Sequence, residues 1–157
     1  MPTAEPLNYL VDLVFRFNRE VVKIGDRPLY PLPLSETRWL RGALEEEAGE
    51  LEEALDPPSR LEGSGASVID VPEVAREALV AQVDACGDAV IFALGGLARL
   101  GLTEEQATRC LLAIMAANFE KKAGVKPGRE GAADAIKPEG WVGPEARIRQ
   151  ILFGGSQ

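Results

Sequence analysis

A long apolar stretch that carries two aspartates constrains this chain more than any other feature. From Val83 to Leu100 the only charged residues are Asp84, Asp88 and Arg99. Helical geometry places the two aspartates on one face, about 40° apart around the axis. An apolar helix of this kind is normally buried, and an ionised carboxylate that faces a core is costly unless a cation neutralises it. The stretch therefore predicts a core helix whose aspartates bind a cation, pair with arginines or face water.

The preceding helix carries a second group of acidic residues. Its apolar stripe is formed by six residues: Leu40, Ala43, Leu44, Ala48, Leu51 and Leu55. Glu47 falls at the centre of this stripe, so its side chain is predicted to point inward. Glu46 and Glu50 lie along one margin of the stripe. Glu45 and Glu52 lie on the other side of the helix and are predicted to face solvent.

Acidic residues on two facing helices predict a metal site. Four or five carboxylates in a bundle interior would repel one another, and divalent cations remove that repulsion. The chain contains no histidine, which excludes a histidine general base, a Ser-His-Asp triad and histidine-based metal sites. Ligands that are oxygen alone favour Mg²⁺ or Mn²⁺. The acidic residues are therefore predicted to bind Mg²⁺, with Mn²⁺ as the alternative.

The overall charge limits the partners that the chain can bind. Asp and Glu number 25 against 17 Lys and Arg, which gives a net charge of −8. Nucleic acids and anionic membranes require a local excess of positive charge, so neither is expected as a partner. The N-terminus does not resemble a signal peptide, and the apolar run over 89–102 is shorter than a bilayer span. We therefore expect a cytoplasmic protein in which Cys86 and Cys110 are buried free thiols.

The hydrophobic periodicity predicts an all-α protein of one domain over residues 1–157. Apolar residues recur at helical spacing, and no stretch alternates convincingly as a half-buried strand would. The predicted elements are a four-helix core over 7–23, 35–55, 71–100 and 104–123, a loop over 56–69, and a short helix at about 144–152. Glycines and prolines from about residue 124 onward predict an irregular C-terminal arm.

Local signals predict where the helices begin and end. Three glycines are typical of helix C-termini: Gly25, Gly101 and Gly124. Ser35 is a typical N-cap residue. Capping boxes are predicted at 70–73 and 103–106, where a glutamate or glutamine follows three residues after an aspartate or threonine.

The fourth predicted helix ends in residues that suit a nucleotide. Asn118 ends the apolar stripe, so its amide lies at the edge of the core, where it can contact a base or a sugar. Lys121 and Lys122 follow one turn later and can hold phosphates. Lysines near a helix C-terminus also interact favourably with the helix dipole, which explains the two lysines equally well without a ligand.

Four sequence elements occur in an order that resembles one enzyme superfamily. They are Glu46-Glu47-Ala48-Gly49-Glu50, Asp88 on an apolar helix, Asn118-Phe119-Glu120-Lys121 and Lys137-Pro138-Glu139-Gly140-Trp141. Over about residues 35–141 they resemble the all-α nucleoside triphosphate pyrophosphohydrolases, which include the MazG-like proteins, phosphoribosyl-ATP pyrophosphohydrolase and the dimeric dUTPases. The resemblance implies Mg²⁺-dependent hydrolysis of a nucleoside triphosphate between the α and β phosphates, which yields a nucleoside monophosphate and pyrophosphate.

The resemblance also implies roles for individual residues. Three acids match metal ligands: Glu47, Glu50 and Asp88. Glu46 matches the acid that activates the attacking water. Four residues match substrate contacts: Asn118, Lys121, Lys137 and Trp141. The superfamily usually has a glutamate three residues before the aspartate, where this chain has Ala85, and Asp84 is predicted to act as the fourth ligand with a shorter reach.

The sequence also predicts self-association and leaves other functions open. Two long helices with an acidic interior suggest a core that closes only on association, and the superfamily is dimeric or tetrameric, so a homodimer or tetramer is expected. The alternative function is a non-catalytic helical regulatory module that binds a metal or a nucleotide. A purely structural bundle with a solvated acidic face is a third possibility, and it predicts no stabilisation by Mg²⁺ or Mn²⁺.

Overall fold

The computed structural model describes residues 4–54, 72–128 and 134–154, and it confirms the mainly helical fold. Five helices occur in these ranges: α1 (Ala4–Glu20), α2 (Leu34–Glu53), α3 (Pro72–Arg99), α4 (Glu104–Phe119) and α5 (Glu145–Phe153). Two short antiparallel strands, β1 (Lys122–Gly124) and β2 (Asp134–Ile136), lie in the arm that was predicted to be irregular. The predicted loop over 56–69 and the start of the capping box at 70–73 lie outside the described residues.

The chain divides into two compact units. One comprises Leu13–Gly101 and is called the acidic unit below. The other comprises Met1–Asp12 together with Leu102–Gln157 and is called the C-terminal unit. The division falls inside α1. Helices α2 and α3 belong to the acidic unit, and α4, α5 and the two strands belong to the C-terminal unit.

Helices α2 and α3 form the main packed pair of the acidic unit. The rings of Trp39 and Phe92 meet edge to face, with centroids 5.9 Å apart, a favourable aromatic arrangement. One turn farther along α3, a Cβ on Gly96 would lie 2.8 Å from a methyl carbon of Leu40, so the glycine permits the close approach of the helices. Ala85 shares the face of α3 that carries Phe92 and Gly96, and it is buried.

An ionic cluster joins the segment after α1 to both helices. The Glu36 carboxylate accepts a hydrogen bond of 2.6 Å from Arg27, and the Arg99 guanidinium lies 3.8 Å from the same oxygen. Arg99 also stacks 4.2 Å from the centroid of the Trp39 ring. The hydrogen bond from Arg27 holds the pKa of Glu36 below its ordinary value, although burial acts in the opposite direction. The cluster therefore ties the segment to the helix pair through an ionised glutamate.

The same segment is also anchored through its backbone. The Tyr30 N–H donates a hydrogen bond of 3.1 Å to the Leu100 carbonyl. Gly101 follows with a φ of +80°, and its Cα lies against the backbone carbonyl of Pro28. The predicted end of α3 at Gly101 is confirmed, because this position needs a left-handed conformation and has no room for a side chain.

Helix α1 ends at Glu20 rather than at residue 23, and the predicted position of its left-handed residue is wrong by two residues. Lys23 rather than Gly25 adopts the left-handed conformation, with a φ of +62°. This conformation turns the chain so that the Ile24 N–H donates to the Asn18 carbonyl at 3.0 Å. A backbone turn with a well-placed hydrogen bond therefore overrides the intrinsic preference for glycine.

Two further predicted caps are wrong, and one is confirmed. Helix α2 starts at Leu34 after an extended Pro33, so Ser35 lies inside its first turn. Gly124 belongs to β1, because α4 already ends at Phe119. The capping box of α4 is present as predicted, since the Thr103 hydroxyl accepts from the Gln106 N–H and the Gln106 side chain accepts from the Thr103 N–H.

Helix α3 is less buried than its composition predicts. Five large apolar side chains in its middle part are 40–64 % exposed: Leu79, Val80, Val83, Val90 and Ile91. Cys86 is exposed as well, so only Cys110 is the buried thiol that the sequence predicts. By length and composition alone, Arg76–Arg99 is long and apolar enough to cross a membrane. Core helices of soluble proteins often meet the same two criteria. The prediction from 89–102 therefore underestimated the length of the apolar helix.

Replacement of Gly101 by alanine is expected to destabilise the protein by more than about 1 kcal/mol. An L-residue at positive φ costs about 1–2 kcal/mol, and the added Cβ would meet the Pro28 carbonyl. Gly42→Ala is the control, because a Cβ at this position of α2 meets no atom within 4 Å and should stabilise the helix by about 0.5–1 kcal/mol. Urea unfolding followed by circular dichroism measures both changes, and a change of the same sign in the two variants would contradict the predicted role of Gly101.

Glu36→Gln is expected to destabilise the protein at neutral pH and to have less effect in acid. Because the pKa of Glu36 is lowered in the folded state, the ionised group stabilises the fold above its unfolded pKa of about 4.3. This contribution disappears as the pH falls from that value through the lowered folded pKa. Unfolding free energies of the variant and the wild type, measured from pH 7 down to pH 3, should therefore converge. A difference that is independent of pH would contradict the ionic role.

Candidate metal centre

Glu47 is the residue around which the acidic side chains gather. It lies in the middle of α2 and is only 7 % exposed, as its position on the helical wheel predicts. Its Oε2 atom is buried and has no hydrogen-bond partner among the described residues. A buried carboxylate oxygen without a partner destabilises the fold, because burial removes its hydrogen bonds to water and no protein group replaces them.

The electrostatic environment of Glu47 is negative from both helices. Burial is the main cause that raises the pKa of Glu47 above its ordinary value. Four neighbouring negative charges raise it further, in order of decreasing effect: Glu50, Asp88, Glu46 and Asp84. Acids of both α2 and α3 therefore lie close enough to act on one carboxylate. The exposed Glu45 takes no part and pairs instead with Arg41 at 2.7 Å.

The two aspartates of α3 do not face a core. Asp84 and Asp88 are both exposed, because α3 turns a different face, the one that carries Ala85, towards the interior. Ala85 is 2 % exposed, so the position three residues before Asp88 points inward without a carboxylate. Asp84 is the weakest of the four charges that act on Glu47. Among the predicted ligands it is therefore the one with the least structural support.

The donor set suits a hard divalent cation. In the ranges 4–54, 72–128 and 134–154, no three Asp, Glu or Cys side chains stand in a preformed metal-binding group. The four acids around Glu47 are nevertheless exposed, and the Oε2 atom of Glu47 has no hydrogen-bond partner among the described residues. Carboxylate oxygens from two helices are the ligands that Mg²⁺ and Mn²⁺ prefer. The residues present therefore fit such an ion.

The predicted substrate contacts lie in the C-terminal unit. Trp141 donates its indole N–H to the Ala117 carbonyl at 2.8 Å, which satisfies one of the free carbonyls at the end of α4. The Lys137 and Lys121 ammonium groups lie 4.6 Å and 5.2 Å from the centroid of the same ring. Three of the five predicted substrate residues therefore meet around one indole.

Asn118 and Lys122, the other two predicted substrate residues, have different surroundings. Asn118 is half-buried in the last turn of α4, and its carbonyl accepts from the Lys121 N–H at 3.0 Å. Lys122 opens β1 and is exposed. Neither side chain belongs to the group around Trp141.

Asn18 is a buried polar residue that the sequence analysis missed. It is 6 % exposed, its amide donates to the Val14 carbonyl at 2.8 Å, and a Cβ on Gly95 would lie 3.2 Å from it. The signal was present, because Asn18 continues the helical spacing of Val11 and Val14 on one face of α1. Asn18 therefore joins α1 to the glycine-rich part of α3.

Comparison of the chain with protein-family models and with curated proteins finds no match.

A comparison of the variants Glu47→Gln and Glu45→Gln distinguishes a buried metal ligand from a solvated surface glutamate. The raised pKa of Glu47 means that the folded state loses stability as the pH rises from about 4.3, the ordinary value, through the raised one. Glu47→Gln removes this loss, so the metal-free variant should be more stable than the wild type at neutral pH. Thermal unfolding in a chelator between pH 4 and pH 8 measures the difference.

The same pair of variants tests cation binding directly. A cation that binds only the folded state raises the unfolding temperature, so Mg²⁺ or Mn²⁺ should stabilise the wild type and Glu45→Gln alike. The stabilisation should shrink in Glu47→Gln, which lacks the central ligand. Equal metal-induced shifts in the two variants would exclude Glu47 as a ligand.

Proposed function

We propose that the chain is a Mg²⁺-dependent nucleoside triphosphate pyrophosphohydrolase of the MazG-like, all-α type. One observation carries the proposal: a buried glutamate on α2 has an orphaned oxygen and stands among four further acids from α2 and α3. Such an arrangement costs stability unless a cation completes it. The four-element sequence resemblance links this cation to the hydrolysis of a triphosphate.

The acids of the two helices have different roles in the proposed reaction. Glu47, Glu50 and Asp88 hold the Mg²⁺ ion, and Asp84 contributes from the margin. The bound ion supplies Lewis-acid polarisation of the phosphoryl oxygens and lowers the pKa of water. Glu46, which is exposed beside the buried Glu47, accepts a proton from the attacking water. The oxygen of that water forms a new bond to the α phosphorus. The bond from this phosphorus to the oxygen that bridges the α and β phosphates breaks, and pyrophosphate leaves.

The C-terminal unit supplies positive charge for the phosphates. Neither Lys121 nor Lys137 has a carboxylate within 4.0 Å in the part of the chain that the structure describes, and both stand over the Trp141 ring. Ammonium groups without a carboxylate partner are available to an anion. We propose that these two lysines and Lys122 bind phosphate oxygens, that Asn118 contacts the base or the sugar, and that Trp141 holds the first two lysines in place.

A pyrophosphate-release assay tests the proposal. Each nucleoside triphosphate is incubated with the protein and Mg²⁺, and at least one should yield its monophosphate and pyrophosphate. Glu46→Gln should lower turnover by about 100-fold or more, the usual contribution of a general base, and should retain metal-induced stabilisation. Glu45→Gln, the neighbouring exposed glutamate, should keep full activity.

The other outcomes of the assay identify the alternatives. Nucleotide or metal binding without turnover would replace the proposal by the non-catalytic regulatory module. The absence of any stabilisation by Mg²⁺ or Mn²⁺ would leave a structural bundle with an acidic face. A substrate panel that includes deoxy and modified nucleotides identifies the substrate.

A further inference from the structure

A short turn in the C-terminal unit brings Lys137 and Trp141 together. The Trp141 N–H donates a hydrogen bond of 3.1 Å to the Pro138 carbonyl, which closes a four-residue turn that we call the 138–141 turn. Four residues of extended chain would span about 13 Å, yet the Lys137 ammonium group lies 4.6 Å from the centroid of the Trp141 ring. The turn therefore folds the chain back far enough for the lysine to reach the indole.

Gly140 determines the type of this turn. Its φ is +73°, and in the ranges 4–54, 72–128 and 134–154 the only non-glycine residue with a positive φ is Lys23. Glu139 therefore has a negative φ, and a positive φ at the third position alone is the mark of a type II turn, which favours glycine or asparagine there. A Cβ on Gly140 would meet no atom within 4 Å, so the requirement for glycine is conformational rather than steric.

The last turn of α4 leaves a buried carbonyl for the Trp141 indole. In a regular helix the Lys121 N–H would donate to the Ala117 carbonyl, four residues earlier, but it donates to the Asn118 carbonyl at 3.0 Å. Ala117 is only 4 % exposed, so its carbonyl needs a partner within the protein. The Trp141 indole N–H is that partner, at 2.8 Å. The indole is therefore fixed to α4 one turn before Lys121.

The ring of Trp141 collects two positive charges from different segments. Lys121 follows α4 and Lys137 follows β2, and both ammonium groups lie within 5.2 Å of the ring centroid. Each ammonium group is attracted by the electron-rich face of the indole. The two cations repel each other, however, and an anion bound to both would remove that repulsion. The indole therefore holds the lysines as a pair that suits an anion.

We propose that Gly140 is a positioning residue for this pair of lysines. Its left-handed conformation closes the 138–141 turn, the turn sets the Trp141 indole on α4, and the indole holds Lys121 and Lys137 as one site for a pyrophosphate group. Gly140 has no side chain with which to contact the ligand, so it acts through Trp141. The identity of the anion rests on the proposed function, whereas the role of the glycine rests on the geometry of the turn.

An L-residue at position 140 should open the turn locally and weaken anion binding. The left-handed conformation disfavours alanine by roughly tenfold. An anion that binds only the closed turn loses affinity in proportion to the fraction of molecules in which the turn is closed. Asparagine adopts the left-handed conformation more readily than alanine, so Gly140→Asn should have a smaller effect than Gly140→Ala.

Calorimetric titration with inorganic pyrophosphate tests the proposal. The titration contains a chelator, so that no metal ion bridges the anion to the acidic side chains. Gly140→Ala should raise the dissociation constant by up to about tenfold, and Gly140→Asn should raise it less. Gly128→Ala is the matched control, because Gly128 has a φ of +82° and a Cβ there also meets no atom within 4 Å. This variant carries the same conformational strain outside the 138–141 turn and should bind pyrophosphate as the wild type does.

Two further measurements connect the effect to the indole and its lysines. Lys137→Met removes one ammonium group and should weaken pyrophosphate binding at least as much as Gly140→Ala does. Acrylamide quenching of tryptophan fluorescence should increase in Gly140→Ala and stay unchanged in Gly128→Ala. Trp39, the other tryptophan of the chain, is common to both variants, so a difference between them reports on Trp141.

Three results would overturn the inference. They are a wild type that does not bind pyrophosphate without metal, equal dissociation constants for Gly140→Ala and Gly128→Ala, and pyrophosphate binding that Lys137→Met leaves intact. If Gly140→Ala does not fold, Gly140→Asn is compared with Gly128→Ala by the same criterion. Weaker pyrophosphate binding in the Gly140 variants without turnover of any nucleotide would refute only the proposed function. Turnover together with equal affinities in the two alanine variants would refute only this inference.

Discussion

The packing of α3 on α2 decides where every other feature of the acidic unit lies. Ala85 and Gly96 allow the helices to approach, and Phe92 meets Trp39 across the contact. Once this face of α3 is turned inward, helical geometry leaves the two aspartates on one flank and exposed apolar side chains on the opposite side of the helix. The contact of small and aromatic residues therefore positions the charged ones.

Glu47 is the unbalanced charge in this arrangement. The carboxylate of Glu36, by contrast, is neutralised within the fold, because one arginine contacts it and a second lies nearby. Glu47 has no such cation within the ranges 4–54, 72–128 and 134–154, and it faces four like charges. The proposed Mg²⁺ ion would supply this missing positive charge, because a divalent ion balances two carboxylates at once.

The two clusters of charged side chains have opposite sign. Acids from α2 and α3 suit a metal ion, whereas Lys121 and Lys137 gather on Trp141 and suit an anion. Trp141 has a structural role, because its indole N–H donates a hydrogen bond to the Ala117 carbonyl. Its ring face is therefore the part that orders the lysines.

The sequence by itself determined the helices, the capping box at Thr103 and the contrast between the inward Glu47 and the outward Glu45. These properties depend on spacings of three and four residues, which are local. Only the tertiary structure decided that Cys86 and the aspartates of α3 are exposed, that Lys23 takes the left-handed turn, and that β1 and β2 pair. Burial depends on which neighbour covers each face of a helix, and composition cannot specify that neighbour. The composition of an apolar helix such as α3 therefore predicts burial, whereas the tertiary structure decides which of its faces are buried.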